Sequence, residues 1–373
     1  MGRRGSARGL VVVVAAVSVV GTATVARAAS ALVDLLDGAT LEQAAPSTEC
    51  TPGQALALLL VEVVRERIAA GALAYSTDVP VVAVGGDPGV SLAPHAQLPV
   101  GELLQLVLLA QSRSAITTLA AAVGPGWEHA RARVRRTATR LALHATTVPD
   151  EWPGEAPPTT GARRAPRAHT TIGDLARLAG AVAGDGEIRR RLALDGAPIA
   201  NGALIVRATD PLIARVTAAR STAPAGHAGL LGGESPTAIT IGEHDGLVLL
   251  AVATGADAAN DAARLVADAF TRYRRVELVR AGQAIGGDVP GPDGVVTHVA
   301  ATAARPFAIT VPRTGAFTID AWLQLRPQTE APSRSPQRVG ELVFGMGGRI
   351  VGTVPLLAES RTGTGGWLDT ASR

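Results

Sequence analysis

The side chains able to do chemistry in this chain are few, and most nucleophile types gather in one short stretch. Ser47, Thr48, Cys50 and Thr51 lie within five positions, immediately ahead of a long apolar run. A hydroxyl or thiol becomes a working nucleophile only beside a base that can take its proton. Cys50 is the only cysteine and has no histidine near it in sequence, so it reads either as a nucleophile without a local partner or as a small buried thiol. The seven histidines stand at 95, 129, 144, 169, 227, 244 and 298, without metal-ligand spacing, and HExxH, paired CxxC and a phosphate-binding glycine loop are all missing. No metal and no cofactor is expected. Lysine is absent, so all 35 basic residues are arginine. Any mechanism that needs a neutral amine is excluded, because a guanidinium stays protonated at every pH the protein would meet.

The elements that must position these groups begin after a segment with another purpose. Arg3, Arg4 and Arg8, an apolar run from Leu10 to Val20 and the small-x-small triplet Ala26-Arg27-Ala28 have the three parts of a secretory signal cleaved after Ala28. A retained membrane anchor is the alternative, although the run is short for a span of about 20 residues. Cleavage would remove four arginines and no acid, taking the net charge from +3 to 31 − 32 = −1. The basic balance therefore belongs to the leader and gives no basis for nucleic-acid binding. A single cysteine also rules out an internal disulfide.

Hydrophobic residues make up 47% of the chain and aromatics only 3%, so Ala, Val and Leu must fill the interior of what the length makes two domains. Ser30 to Asp37 reads as a strand with a turn at Asp37-Gly38, and Gln54 to Ala70, apolar nearly all round, as a helix buried inside a domain. Helices are expected over Val100–Ala122, Trp127–Leu143, Thr171–Ala183, Glu187–Leu194 and Asp257–Tyr273, with a long loop at 149–167. Pro236–Gly242 and Gly246–Thr254 read as strands joined at Asp245-Gly246. From Val276 the pattern becomes short alternating strands, at 276–280, 294–301, 307–311, 317–325, 340–344 and 349–354, which places a domain boundary near 273–276.

Several stretches, in this order and at these intervals, resemble the serine-type D-alanyl-D-alanine carboxypeptidases, the low-molecular-mass penicillin-binding proteins. Pro46-Ser47-Thr48-Glu49-Cys50-Thr51-Pro52-Gly53-Gln54-Ala55-Leu56 is similar to the family's PASxTKxxTAL segment, Thr171-Ile172-Gly173-Asp174-Leu175-Ala176 to its TARDLA helix start, and Arg189-Arg190 to a paired arginine that follows. Val279–Gly282, Ile309–Gly315 and Gly352–Leu356 resemble its C-terminal segments. The resemblance spans about residues 31 to 358. It implies an α/β (α+β) β-lactamase/transpeptidase-like domain over 30–273, with a central antiparallel sheet and helices, then a small all-β, sandwich-like domain over 276–358 and a tail at 359–373.

The family works with three motifs: SxxK, SxN and KTG. In the gap-free register Thr48 stands for the serine and Thr51 for the lysine; shifting by one sets Ser47 against Cys50 and breaks the match at Pro46 and Ala55-Leu56. Gln111-Ser112-Arg113, or in a neighbouring register Ser112-Arg113-Ser114, takes the place of SxN without its asparagine. His227-Ala228-Gly229 stands at KTG, with only the glycine kept. Thr48, Thr51, Gln111, Arg113 and His227 thus match catalytic positions, and Ser112, His227, Ala228 and Gly229 substrate-binding ones.

Three readings follow. The first is an exported pseudoenzyme of peptidoglycan metabolism, its partners a stem peptide or a wall-synthesis protein. The second is a carboxypeptidase using Thr48 with His227 as base. The third is a secreted structural protein whose cleft has filled, a reading that Pro52-Gly53 favours by loosening the helix that should present the nucleophile. The tail after Leu357 has little apolar moment and carries no clear membrane anchor.

Overall fold

The computed structural model describes residues 29–50, 52–84, 90, 92–148, 168–194, 196–207, 227–230, 237–290, 296–325, 338–358 and 368–370. The chain divides into two compact units between Thr271 and Arg272. The expected loop at 149–167 and the leader at 1–28 lie outside the described residues.

The first unit is built on a five-stranded antiparallel sheet in the order β2-β1-β11-β10-β9, from β1 (Ser30–Asp34), β2 (Thr40–Ala44), β9 (His227–Leu230), β10 (Thr237–His244) and β11 (Leu247–Thr254). β11 is buried along Leu247–Ala253 because it is central. The β10–β11 hairpin turns at Asp245-Gly246, both at positive φ, the pair of left-handed residues a tight hairpin needs.

Short ladders join β3 (Glu49–Cys50) to β6 (Thr170–Thr171), β4 (Asp78–Pro80) to β5 (Gln97–Pro99), and β7 (Gly196–Ile199) to β8 (Leu204–Arg207).

Helix α1 (Ala57–Ala69) is buried from Ala57 through Val64, as its all-round apolar sequence requires. The one acid in that run, Glu62, is fully buried and neutralised by Arg65, at 2.7 Å from both carboxylate oxygens, and by Arg140, at 2.9 Å. The expected single helix over Val100–Ala122 is two, α2 (Val100–Ala110) and α3 (Arg113–Val123). Gln111 breaks them in a left-handed conformation (φ 55°) and Ser112 caps the second, accepting from the Ala115 amide at 3.1 Å. α4 (Trp127–Arg140), α5 (Ile172–Ala183), α6 (Gly186–Leu192) and α7 (Ala258–Arg272) follow. On β10, Gly242 lets α7 approach: a Cβ there would stand 2.5 Å from Val266 and 3.1 Å from Phe270.

The second unit holds β12 (Tyr273–Val279), β13 (Ala284–Pro290), β14 (Val296–Ala303), β15 (Phe307–Pro312), β16 (Ile319–Leu325), β17 (Arg338–Met346), β18 (Arg349–Ala358) and β19 (Leu368–Thr370). β12 pairs with β15, and a six-stranded sheet runs β13-β14-β18-β17-β16 with β19 added on β14. The small core includes Val279, Ala301, Phe344, Val354 and Leu356, and the rings of Phe307 on β15 and Phe344 on β17 stack at 5.1 Å between centroids. Gly352 lies under Phe307, where a Cβ would be 2.1 Å from the ring. β13 and β19 escaped the sequence reading because Gly286, Gly287 and Pro290 interrupt any apolar alternation in the one and the other is three residues long.

Candidate active-site region

A nucleophile and base placed three residues apart work only if both stand on one face of a regular helix. Thr48 is not on one. It precedes β3 in extended chain, and the first helical turn is a 3-10 turn at Gly53–Leu56, with α1 beginning at Ala57. Pro52 has no amide to donate and disfavours helix at the residue before it, so the helix cannot reach back toward Thr48. This corrects the expectation that Thr48 and Thr51 stand one turn apart; Thr51 itself lies outside the described residues.

The stretch holding Thr48 has a different use, which is to close the start of α5. The Ile172 amide donates to the Thr48 carbonyl at 3.3 Å and the Gly173 amide to the Pro46 carbonyl at 2.9 Å. A Cβ on Gly173 would meet the Pro46 carbonyl at 3.2 Å, so the close approach also needs a glycine. The Thr171 hydroxyl accepts from the Asp174 amide at 3.2 Å. Three otherwise orphaned donors of the helix end are thereby satisfied.

Asp174, buried, then accepts from the Ala145 amide at 2.8 Å, from the Thr146 hydroxyl at 2.9 Å and from Arg177. Cys50 pairs with Thr170 across the β3–β6 ladder. Burial pushes its thiol up from the ordinary range, offset in part by the Thr237 hydroxyl beside it. A buried thiol with a raised pKa is a poor nucleophile.

In the geometry that the chemistry needs, the candidates are pairs three apart at the helix start: Gly53 with Leu56, or Gln54 with Ala57. None is a hydroxyl, thiol or amine. Sequence reasoning missed these positions because Pro46 and Ala55-Leu56 offered a gap-free match; the signal that pointed elsewhere was the second proline, Pro52, directly ahead of the apolar run.

Gln111-Ser112-Arg113 falls on the α2–α3 junction. Gln111 is half-buried in its left-handed conformation, the Ser112 hydroxyl is committed to capping α3, and Arg113 opens that helix. In the neighbouring register Ser114 is also committed: its hydroxyl accepts from the Val84 amide at 3.0 Å, as Thr118 does from Val82 at 2.9 Å, fastening the 82–84 segment to α3.

His227-Ala228-Gly229 begins β9, opposite Gly242, Ile241 and Thr240. β9 closes the sheet order on one side, so among the described residues its second backbone edge has no strand partner. Among the described residues no group of three His, Cys, Asp or Glu side chains is placed to hold a metal ion.

With this geometry in hand, comparison with known proteins is informative. Residues 273–362 match the family model described as penicillin-binding protein 5, C-terminal domain. The chain is similar in structure to the peptidoglycan synthesis regulatory factor PBP3 of Streptococcus pneumoniae, with a TM-score of 0.65 and 15% identity over 90% of this chain and 98% of that one. It is similar also to penicillin-binding protein 6B of Escherichia coli, at 0.59 and 17% over 90% and 97%.

The architecture is that of the penicillin-binding proteins. The D-alanyl-D-alanine carboxypeptidase DacD of Francisella tularensis shares it at a TM-score of 0.57 and 15% identity, covering 90% of this chain and 94% of that one. No curated protein matches in sequence. The transpeptidase-like domain followed by a β domain, which the resemblance implied, is therefore present, and no helix among the described residues is long and apolar enough to cross a membrane.

Proposed function

We propose that this chain is an exported, non-catalytic member of the D-alanyl-D-alanine carboxypeptidase group that binds a peptidoglycan stem peptide. In this reading the leader at 1–28 is removed after Ala28, residues 30–273 form the peptide-binding domain and 276–358 the β domain. The observation that carries it is the composition of the first helical turns, Gly53 to Ala57, which offer neither nucleophile nor base where the helix begins. Losing both groups removes factors of about 10² or more in rate each, although groups that act as a unit are not additive.

What remains is a backbone resource. The outer edge of β9 can pair with an extended peptide through amides and carbonyls alone, which no side-chain substitution abolishes. Thr48 as nucleophile with His227 as base is disfavoured by the commitment of the Thr48 segment to α5.

The test has two arms on the mature protein. Incubation with a fluorescent penicillin, read by intact mass, is expected to give no adduct, and titration with a D-Ala-D-Ala-terminated pentapeptide is expected to give saturable binding without release of D-alanine. An adduct at Thr48, Ser47 or Cys50, or steady D-alanine release, would overturn the non-catalytic reading; a folded protein that binds no pentapeptide would overturn the peptide-binding one.

A further inference from the structure

The β domain carries a second strand-accepting edge, independent of the first unit. β14 has one side fully occupied, with β13 pairing along it from Val296 to Thr302. Its other side is shared. β18 covers Ala301 to Ala303 and stops at Ala358, and β19 covers Thr297 to Val299.

Both run antiparallel to β14, in the same direction. Had β18 continued straight, residue 360 would stand opposite Val299, since Ala358 stands opposite Ala301; instead Leu368 does, eight positions later. The chain leaves this edge and comes back to it. The intervening sequence, 359–367, includes Gly363, Gly365 and Gly366.

We infer that the Val296–Ala300 half of this edge is a docking site for an extended peptide segment of a partner protein, and that the chain's own C-terminal strand β19 is its resident occupant. A strand edge recognises backbone, so any chain able to lie extended and antiparallel can pair with it, and an uncovered edge invites such pairing. The resident strand holds only three register positions, Thr297 to Val299, and leaves Val296 and Ala300 without a β19 partner. A partner segment of five residues would cover the whole half-edge.

The cis occupant is favoured by its tether, which gives a local concentration on the order of millimolar, but it brings few hydrogen bonds, each contributing about 1 kcal/mol net. The tail is therefore built to be displaced by a longer strand while shielding the edge in its absence.

The probe is a labelled peptide of residues 365–373. Two forms of the otherwise complete chain are compared with the wild type: one ending at Ala358, and one full-length carrying Leu368→Pro with Asp369→Pro, since one of those two amides must face β14 in an antiparallel ladder. Both variants are expected to bind the peptide at least tenfold more tightly than the wild type, and the same peptide with the two prolines is expected not to bind.

Failure of both variants to bind, with melts that show them folded, would overturn the inference. So would wild-type binding as tight as theirs, or equal binding of the proline peptide.

Discussion

Two helix starts in the first unit, those of α1 and α5, have had opposite fates. The α1 end begins with Pro52-Gly53 and a 3-10 turn, and no side chain caps α1 itself. The α5 end is closed by two carbonyls from the Pro46–Thr48 segment and the Thr171 hydroxyl, and its first-turn Asp174 is a buried hub for Ala145, Thr146 and Arg177. The end where the family's chemistry would sit has lost its reactive groups, whereas the end that only holds loops together has kept every bond. Stability and catalysis draw on different residues of one scaffold, and here only the first set is complete.

The comparison can be broken or sharpened by experiment. The largest effect is expected at Cys50: in the folded protein its alkylation at pH 8 should be at least about 100-fold slower than in denaturant, because burial both blocks access and raises the thiol pKa. Equal rates, read by mass spectrometry, would show an open pocket ahead of α1. Next, Asp174→Ala should cost roughly 3 kcal/mol in a denaturant melt, since it leaves the buried Ala145 amide and Thr146 hydroxyl without their acceptor.

Thr171→Ala removes one cap and should cost about 1 kcal/mol. The smallest effect belongs to the residue that aligns with the family's nucleophile. Thr48→Ala keeps the carbonyl that Ile172 uses, so its melt should move by less than about 0.5 kcal/mol. A large loss there would mean that the Thr48 side chain, and not only its backbone, is part of the α5 closure.

Much of this fold was legible because its signals are local. The all-apolar run from Ala57, the Asp245-Gly246 turn and the Thr171 cap each name their element by composition alone, and α1, the β10–β11 hairpin and α5 form there. The break between α2 and α3 was hidden, because Gln111 and Ser112 sit in an unbroken helical pattern and glutamine is an uncommon choice for a left-handed residue. β7 and β8 were unread for a similar reason. Their turn runs Ala200-Asn201-Gly202, all at positive φ, and neither strand exceeds four residues.

Composition by itself determined that no lysine base exists in this chain, since the absence of a residue type holds in any fold. The order of the segments likewise determined the architecture, because each element's hydrophobic face had only one way to be covered. Only the tertiary structure decided which residues stand at the start of α1 and what the Pro46–Cys50 segment does. A gap-free alignment cannot see that a proline moves a helix start, nor that the carbonyls before it close a helix more than a hundred residues away; those facts depend on which backbone donors lack partners, and that is settled only when the chain is folded.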